Sequence, residues 1–84
     1  MVTQTTMAKK QVRYGSKQYA LEYRLVYQEE KGYGIEVLCQ SGTTTEREQV
    51  FVKGTKRQVT DLVRLFAAET VFPIALKETL ENFW

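Results

Sequence analysis

The stretch Gly54-Thr55-Lys56-Arg57-Gln58-Val59-Thr60-Asp61-Leu62-Val63-Arg64-Leu65-Phe66-Ala67-Ala68-Glu69 decides the fold. Val59, Leu62, Val63 and Phe66 recur at i, i+3, i+4 and i+7, the spacing that lines one face of a helix. Thr55 followed by Gln58 predicts a capping box, and Gly54 gives the incoming chain room to turn. Lys56, Arg57, Thr60, Asp61 and Arg64 fall on the opposite, wet face. A helix of this kind needs a sheet to cover, so the flanking sequence is read for strands.

Upstream, Tyr19 to Gln28 alternates with a period of two, with Tyr19, Leu21, Tyr23, Leu25 and Tyr27 on one side. Glu29-Glu30-Lys31-Gly32 reads as a hairpin loop. Tyr33 to Gln40 follows as a second strand, Tyr33, Ile35, Val37 and Cys39 sharing a face and Leu38 lying on the other. After the turn signal Ser41-Gly42, Thr43 to Lys53 reads as a third strand with imperfect alternation. Phe51 opposes Val50 and Val52, which leaves a bulge or a second face covered by another chain as explanations.

Downstream, Phe72-Pro73 ends the first helix near Glu69 or Thr70, because the residue before a proline avoids helical dihedrals. Pro73 suits the first position of a second helix running to Phe83, with Pro73, Leu76, Leu80 and Phe83 inward. The expected fold is therefore α+β: a three-stranded antiparallel sheet followed by two helices packed on one face. Gln11 to Tyr14, before the turn at Gly15-Ser16, is a candidate for a short N-terminal fourth strand at its edge. Met1 to Lys10 has no apolar period, so residues 1–18 are expected as a flexible basic arm and 19–84 as the single domain.

The composition bounds the function. At 84 residues with 43% hydrophobic and 26% charged, the chain is one small globular unit. No apolar run approaches the ~20 residues of a membrane helix, and the N-terminus has no signal-peptide core. One cysteine makes no internal disulfide, which agrees with a cytoplasmic setting. The absence of histidine, with a single Cys39, excludes the usual zinc sites and the Ser-His or Cys-His nucleophiles. The chain is expected not to be an enzyme and to carry no cofactor, metal or catalytic residue.

A resemblance covers most of the same ground. Glu29-Glu30 in a loop, Tyr33-Gly34-Ile35-Glu36-Val37, a threonine-containing third strand, a capped helix and Phe72-Pro73-Ile74-Ala75-Leu76 leading to Glu81-Asn82-Phe83 form one pattern. It is similar to a family of short bacterial proteins of Gram-positive anaerobes, known only as a domain of unknown function. The resemblance runs from Tyr19 to Phe83, with Asn82 where an aspartate is usual. It implies a cytoplasmic bacterial protein and no activity.

Weighed singly, the chemistry-bearing residues are plain. Glu29 and Glu30 are neighbours on a loop, where carboxylates diverge into solvent. Glu46 and Glu48 share a strand face but have no third oxygen ligand nearby in sequence. Gly32-Tyr33-Gly34 enters a strand rather than a helix, so it is no phosphate cradle. The tyrosine stripe has the look of a stacking platform for single-stranded nucleic acid. The same face must meet Val59, Leu62, Phe66, Leu76 and Leu80, so core is the better assignment.

Two functional expectations remain. A small sheet covered on one face leaves the other open, with Val26, Leu38 and either Phe51 or the Val50/Val52 pair on it. The first expectation is a protein–protein interaction module, a homodimer or an accessory subunit, anchored by Val26, Leu38 and Phe51. The second is a nucleic-acid-binding or regulatory protein. Residues 1–18 carry four basic and no acidic residues (+4), and the rest carries eight against ten (−2), for the net +2. Lys9, Lys10 and Arg13 of the arm, with Lys53, Lys56, Arg57 and Arg64, are its candidate phosphate contacts.

Overall fold

A computed structural model describes residues 2–84. Four strands come first: β1 Val2–Tyr14, β2 Lys17–Gln28, β3 Gly32–Ser41 and β4 Thr44–Phe51. Helix α1 Lys56–Ala68 follows, then a 3₁₀ turn at Pro73–Ala75 that runs into helix α2, Leu76–Phe83. The strands form one antiparallel meander in the order β1-β2-β3-β4, and both helices cover the same face. This is the expected α+β architecture with a full fourth strand in place of a short one.

The correction lies in the N-terminal arm. Met1 falls outside the described residues, but Val2 to Tyr14 pairs along almost the whole of β2. The expected boundary at residue 18 thus cuts through a hairpin. Two features hid the strand. Between Thr6 and Ala8 the register shifts, so Met7 is an extra residue and the alternation breaks in the middle of the strand. Its inner face also begins with Thr3 and Thr5, which suit a strand through β-branching yet give no hydrophobic signal. The two-residue turns Gly15-Ser16 and Gly42-Thr43 each lead with a glycine at positive φ (64° and 60°), the arrangement that matches the twist of tight hairpins.

The inner face holds the core. Leu21, Tyr23 and Leu25 of β2 and Ile35, Val37 and Cys39 of β3 meet Val59, Leu62, Val63 and Phe66 of α1 and Leu76 and Leu80 of α2. The four α1 residues are those the spacing picks out, and fully burying each such side chain is worth ~1.5–3 kcal/mol. The capping box forms as expected. Thr55 Oγ1 accepts from the Gln58 amide at 3.2 Å, and Gln58 Oε1 accepts from the Thr55 amide at 2.9 Å. Burial pushes the Cys39 thiol up, in line with a structural role.

Of the tyrosine stripe, Tyr23 is core, Tyr19 and Tyr33 pack against the core half-buried, and Tyr27 departs from the expectation by standing exposed at the rim. Tyr23 is fully buried, and its hydroxyl donates to the Val71 carbonyl at 3.0 Å. Tyr19 packs edge-on against Phe72, with ring centroids 5.5 Å apart. Tyr27 and Tyr33 pack against each other at the far rim with rings tilted by 45° and centroids 4.7 Å apart. The uneven alternation of the last strand has a simple origin. Strand β4 holds an unbroken register and ends at Phe51, and Val52 then turns into the core with its amide on the Tyr33 carbonyl. The bulge belongs to β1, not to β4.

The end of α1 is closed from two sides. The Thr70 amide donates to Ala67 and the Val71 amide to Phe66, a Schellman motif that puts Thr70 in the left-handed region at φ 56°. Threonine is an uncommon choice there, where glycine is usual. Lys10 accounts for it: from β1 its ammonium donates to the Ala67 carbonyl at 3.0 Å and to Thr70 Oγ1 at 2.7 Å. A cation from the first strand thereby sits on the negative end of the helix dipole.

Candidate functional site

The face of the sheet away from the helices has no covering layer, and the strand register arranges its side chains in rows. Gln4, Val26, Gly34 and Phe51 make the first row. Thr6, Arg24, Glu36 and Gln49 make the second; Lys9, Glu22, Leu38 and Arg47 the third; Gln11, Ala20, Gln40 and Thr45 the fourth. Beyond them Arg13 pairs with Gln18 near the hairpin end.

The second row is the centre of the site. Glu36 is only 1% exposed although nothing packs above the sheet. Its Oε1 accepts from Arg24 Nη1 at 3.1 Å, and its Oε2 from Gln49 Nε2 at 3.1 Å. Arg47 Nε lies 3.7 Å and Gln4 Nε2 3.5 Å from the same Oε2. Arg24 bridges onward, its Nε to Glu22 Oε2 at 2.6 Å and its Nη1 to the Gln4 amide oxygen at 3.0 Å. Thr6 donates to the same Glu22 oxygen at 2.6 Å. The Arg24 and Thr6 hydrogen bonds hold the Glu22 carboxyl below the usual carboxylate range, and the Glu22 contact raises the Arg24 guanidinium further. The neighbouring long side chains thus shield Glu36 and satisfy it, which is what keeps a buried carboxylate tolerable.

Val26, Leu38 and Phe51 do lie on this face, but not as one apolar patch. Val26 is fully buried beneath its neighbours. Phe51 folds over Gly34, where an added Cβ would lie 2.5 Å from the Val50 carbonyl oxygen and 3.1 Å from the Phe51 ring. Lys31 covers that ring from the hairpin side, 5.3 Å from its centroid. Leu38 stands two rows away, roughly 13 Å along the strands, with the Arg24–Glu36 row between. Beside Leu38 the face sinks into a depression of about 480 Å³, bounded by Lys9, Gln11, Ala20, Glu22, Gln40 and Thr45.

The expected phosphate contacts do not form one surface. Lys9 and Arg13 sit on the open face. Lys10 points the other way and is engaged at the end of α1, because its position in the strand faces the helices. Lys53 lies in the connection from β4, and Lys56, Arg57 and Arg64 are exposed on α1, on the helix side of the sheet. Among the described residues no cluster of three or more His, Cys, Asp or Glu is placed to hold a metal ion. Among the described residues no helix is long and apolar enough to cross a membrane.

The residues that sequence reasoning missed are Gln4, Glu22, Arg24, Glu36 and Gln49. A signal for part of the set was present, since Arg24 and Glu36 lie at mirror positions about Glu30 in the hairpin.

No curated protein and no solved structure matches the chain. One family model matches residues 3–84, a span that takes in β1 from Thr3 onward. On that match the chain belongs to DUF6514, a family of unknown function.

Proposed function

We propose that this protein is a small protein–protein interaction module, a homodimer or an accessory subunit, and that it docks through the uncovered sheet face. It works without catalysis, in the cytoplasm of a bacterium. The observation that carries this reading is the Arg24–Glu36 row. A sheet face meant only for water needs solvated side chains, and ordering them costs conformational entropy for no return. Here a carboxylate is buried and several donors are fixed on a face with no layer above it, a preorganised surface of the kind that lowers the cost of binding. Leu38, half-buried beside the depression, is the apolar anchor. A partner covering the whole face would remove on the order of 600 Å² from each side, at the lower limit for a specific interface.

The nucleic-acid alternative has less support. Lys10 is consumed inside the fold, and the remaining cations divide between opposite sides of the sheet. The open face carries one aromatic, Phe51, already occupied by Gly34 and Lys31. Light scattering at two concentrations, on wild type and Leu38→Glu, tests the docking reading. Association that weakens in the variant while its circular dichroism is unchanged is the expected result. Association indifferent to Leu38→Glu would remove this face as the interface.

A further inference from the structure

Charge on the open face narrows what can cover it. In the strand rows its ionised residues are Lys9, Arg13, Arg24 and Arg47 against Glu22 and Glu36, and Lys31 over Phe51 at the hairpin end brings the surplus to three positive charges. The surplus is not spread evenly. Arg24 joins both carboxylates in the middle of the sheet. Lys9 and Arg13 on β1 have no ion pair among the described residues, and Arg47 on β4 is 63% exposed at 3.7 Å from an already satisfied Glu36. Free cations therefore stand at the two edges, with Leu38 and Ala20 between them.

A second copy is a poor occupant. A two-fold axis along the strands lays β1 on the partner's β4, cations against cations. An axis across the strands lays β1 on the partner's β1 and β4 on its β4, so each edge again meets its own kind, and the contact encloses six surplus positive charges, which a desolvated interface does not tolerate. A polynucleotide is a poor occupant too. Glu22 lies between Lys9 and Leu38 in the third row and would repel a continuous run of phosphates, and the depression has no aromatic floor for a base.

The geometry points to an acidic segment of another protein as the ligand of this face: an aliphatic side chain seated on Leu38 and Ala20, flanked by carboxylates that reach Lys9 and Arg13 on one side and Arg47 on the other. The third row sets the spacing. Lys9 and Arg47 are three strand intervals apart, roughly 14 Å, so the segment's acids straddle its anchor by that distance. This inference rests on the reading of the open face as a docking surface and adds the chemistry of the partner.

The test uses a fluorescein-labelled peptide in which two leucines are flanked on both sides by glutamates, titrated with the full chain and followed by anisotropy. Two controls accompany it, the same peptide with lysines for glutamates and an oligothymidylate. Expected is binding of the acidic peptide alone, weakening as salt rises. Lys9→Glu combined with Arg47→Glu should weaken it about tenfold, and Leu38→Ala several-fold, with circular dichroism unchanged in both. Amide shifts in a labelled sample should centre on Ala20, Leu38 and Gln40. Equal binding of the lysine peptide, displacement by oligothymidylate, or indifference to the double reversal overturns the proposal. A stable dimer that ignores the peptide also overturns it, yet leaves the docking reading intact with a second copy as occupant. A monomer that ignores the peptide overturns it and withdraws support from the docking reading as well.

Discussion

Replacing Arg24 with methionine tests whether the polar row on the open face is an ordered structural unit. The substitution keeps most of the aliphatic stem and removes the guanidinium. Glu36 then loses its closest cation, the 3.1 Å contact, while Gln49 at 3.1 Å stays and Arg47 and Gln4 remain at 3.7 and 3.5 Å. Breaking a fully buried ion pair costs ~3–5 kcal/mol because the surviving charge is stranded. Three donors remain here and Arg24 itself is 24% exposed, so the expected loss is about 2–3 kcal/mol. For a domain of this size each kcal/mol moves Tm by ~4–8 °C, which gives a fall of roughly 10–20 °C.

The assay is urea and thermal unfolding followed by circular dichroism, on Arg24→Met, Glu36→Leu and the double variant. Glu36→Leu leaves Arg24 paired with Glu22 at 2.6 Å and removes the buried charge, so it should cost less than Arg24→Met. The double variant should be more stable than Arg24→Met alone, with a coupling of about 2 kcal/mol. Glu22 adds a pH signature. Its carboxyl is held below its ordinary 4.5 by Arg24 and Thr6, so the stabilisation is complete above 4.5 and is lost below it, as pH falls through the depressed value of the folded state. Arg24→Met should therefore flatten the acid limb of the stability profile. A loss below about 1 kcal/mol, or strict additivity in the cycle, would refute the account of Glu36 as a buried charge held by Arg24.

Three further outcomes follow from the core, the helix end and the open face. Tyr23→Phe strands the buried Val71 carbonyl and should cost ~1–2 kcal/mol in urea unfolding. Burial pushes the Tyr23 phenol from 10.0 up to about 12, so its contribution is complete below pH 10 and lost as pH rises toward 12. The variant should lack that alkaline slope. Thr70→Gly relieves a left-handed threonine but discards the Lys10 bond, so it should change stability by less than ~0.5 kcal/mol. In a Lys10→Met background, which itself costs ~1 kcal/mol, the same change should stabilise by up to ~1 kcal/mol; equal effects in both backgrounds would sink the coupling. Gly34→Ala drives a Cβ to 2.5 Å from the Val50 carbonyl oxygen, with the Phe51 Cα at 3.0 Å, and should cost ~1–3 kcal/mol by calorimetry.

Legibility in the sequence followed the strength of local signals. Helix α1, its cap and its four buried residues were readable because a 3.6-residue period and a capping box are local and mutually consistent. The break at Phe72-Pro73 was readable for the same reason, although the chain first makes a 3₁₀ turn there before α2 begins. Strand β1 was not readable, because its order comes from β2 and its pattern is interrupted at Met7. Lys10 looked like one of several loose cations for as long as β1 looked like a tail. Once the strand is paired, its position faces α1 and its charge has a partner. Glu36 was hidden differently. It falls between Ile35 and Val37 on the strand's other face, where nothing local marks a carboxylate as buried, and only the hairpin register puts Arg24 beside it.

The open face and the helix end together say how this small domain divides its charges. Lys10 is used inside the fold, where a cation offsets the carbonyls at the end of α1 and ties the first strand to the last turn of the helix. Arg24 is used within the sheet, where it allows Glu36 to be buried without a covering layer. Lys9 and Arg13 have no comparable task, and Arg47 has only a secondary one, 3.7 Å from a Glu36 that Arg24 and Gln49 already hold. They stand at the edges of a surface whose middle, Arg24 against Glu22 and Glu36, carries one net negative charge, and an exposed pair such as that of Arg47 contributes little to stability. Charges that folding does not need are the ones free to select a partner, since rim electrostatics govern encounter and specificity more than affinity. The same division predicts how the variants separate. Changes at Lys10 or Arg24 act on unfolding, whereas changes at Lys9 or Arg47 leave unfolding nearly untouched and act on association.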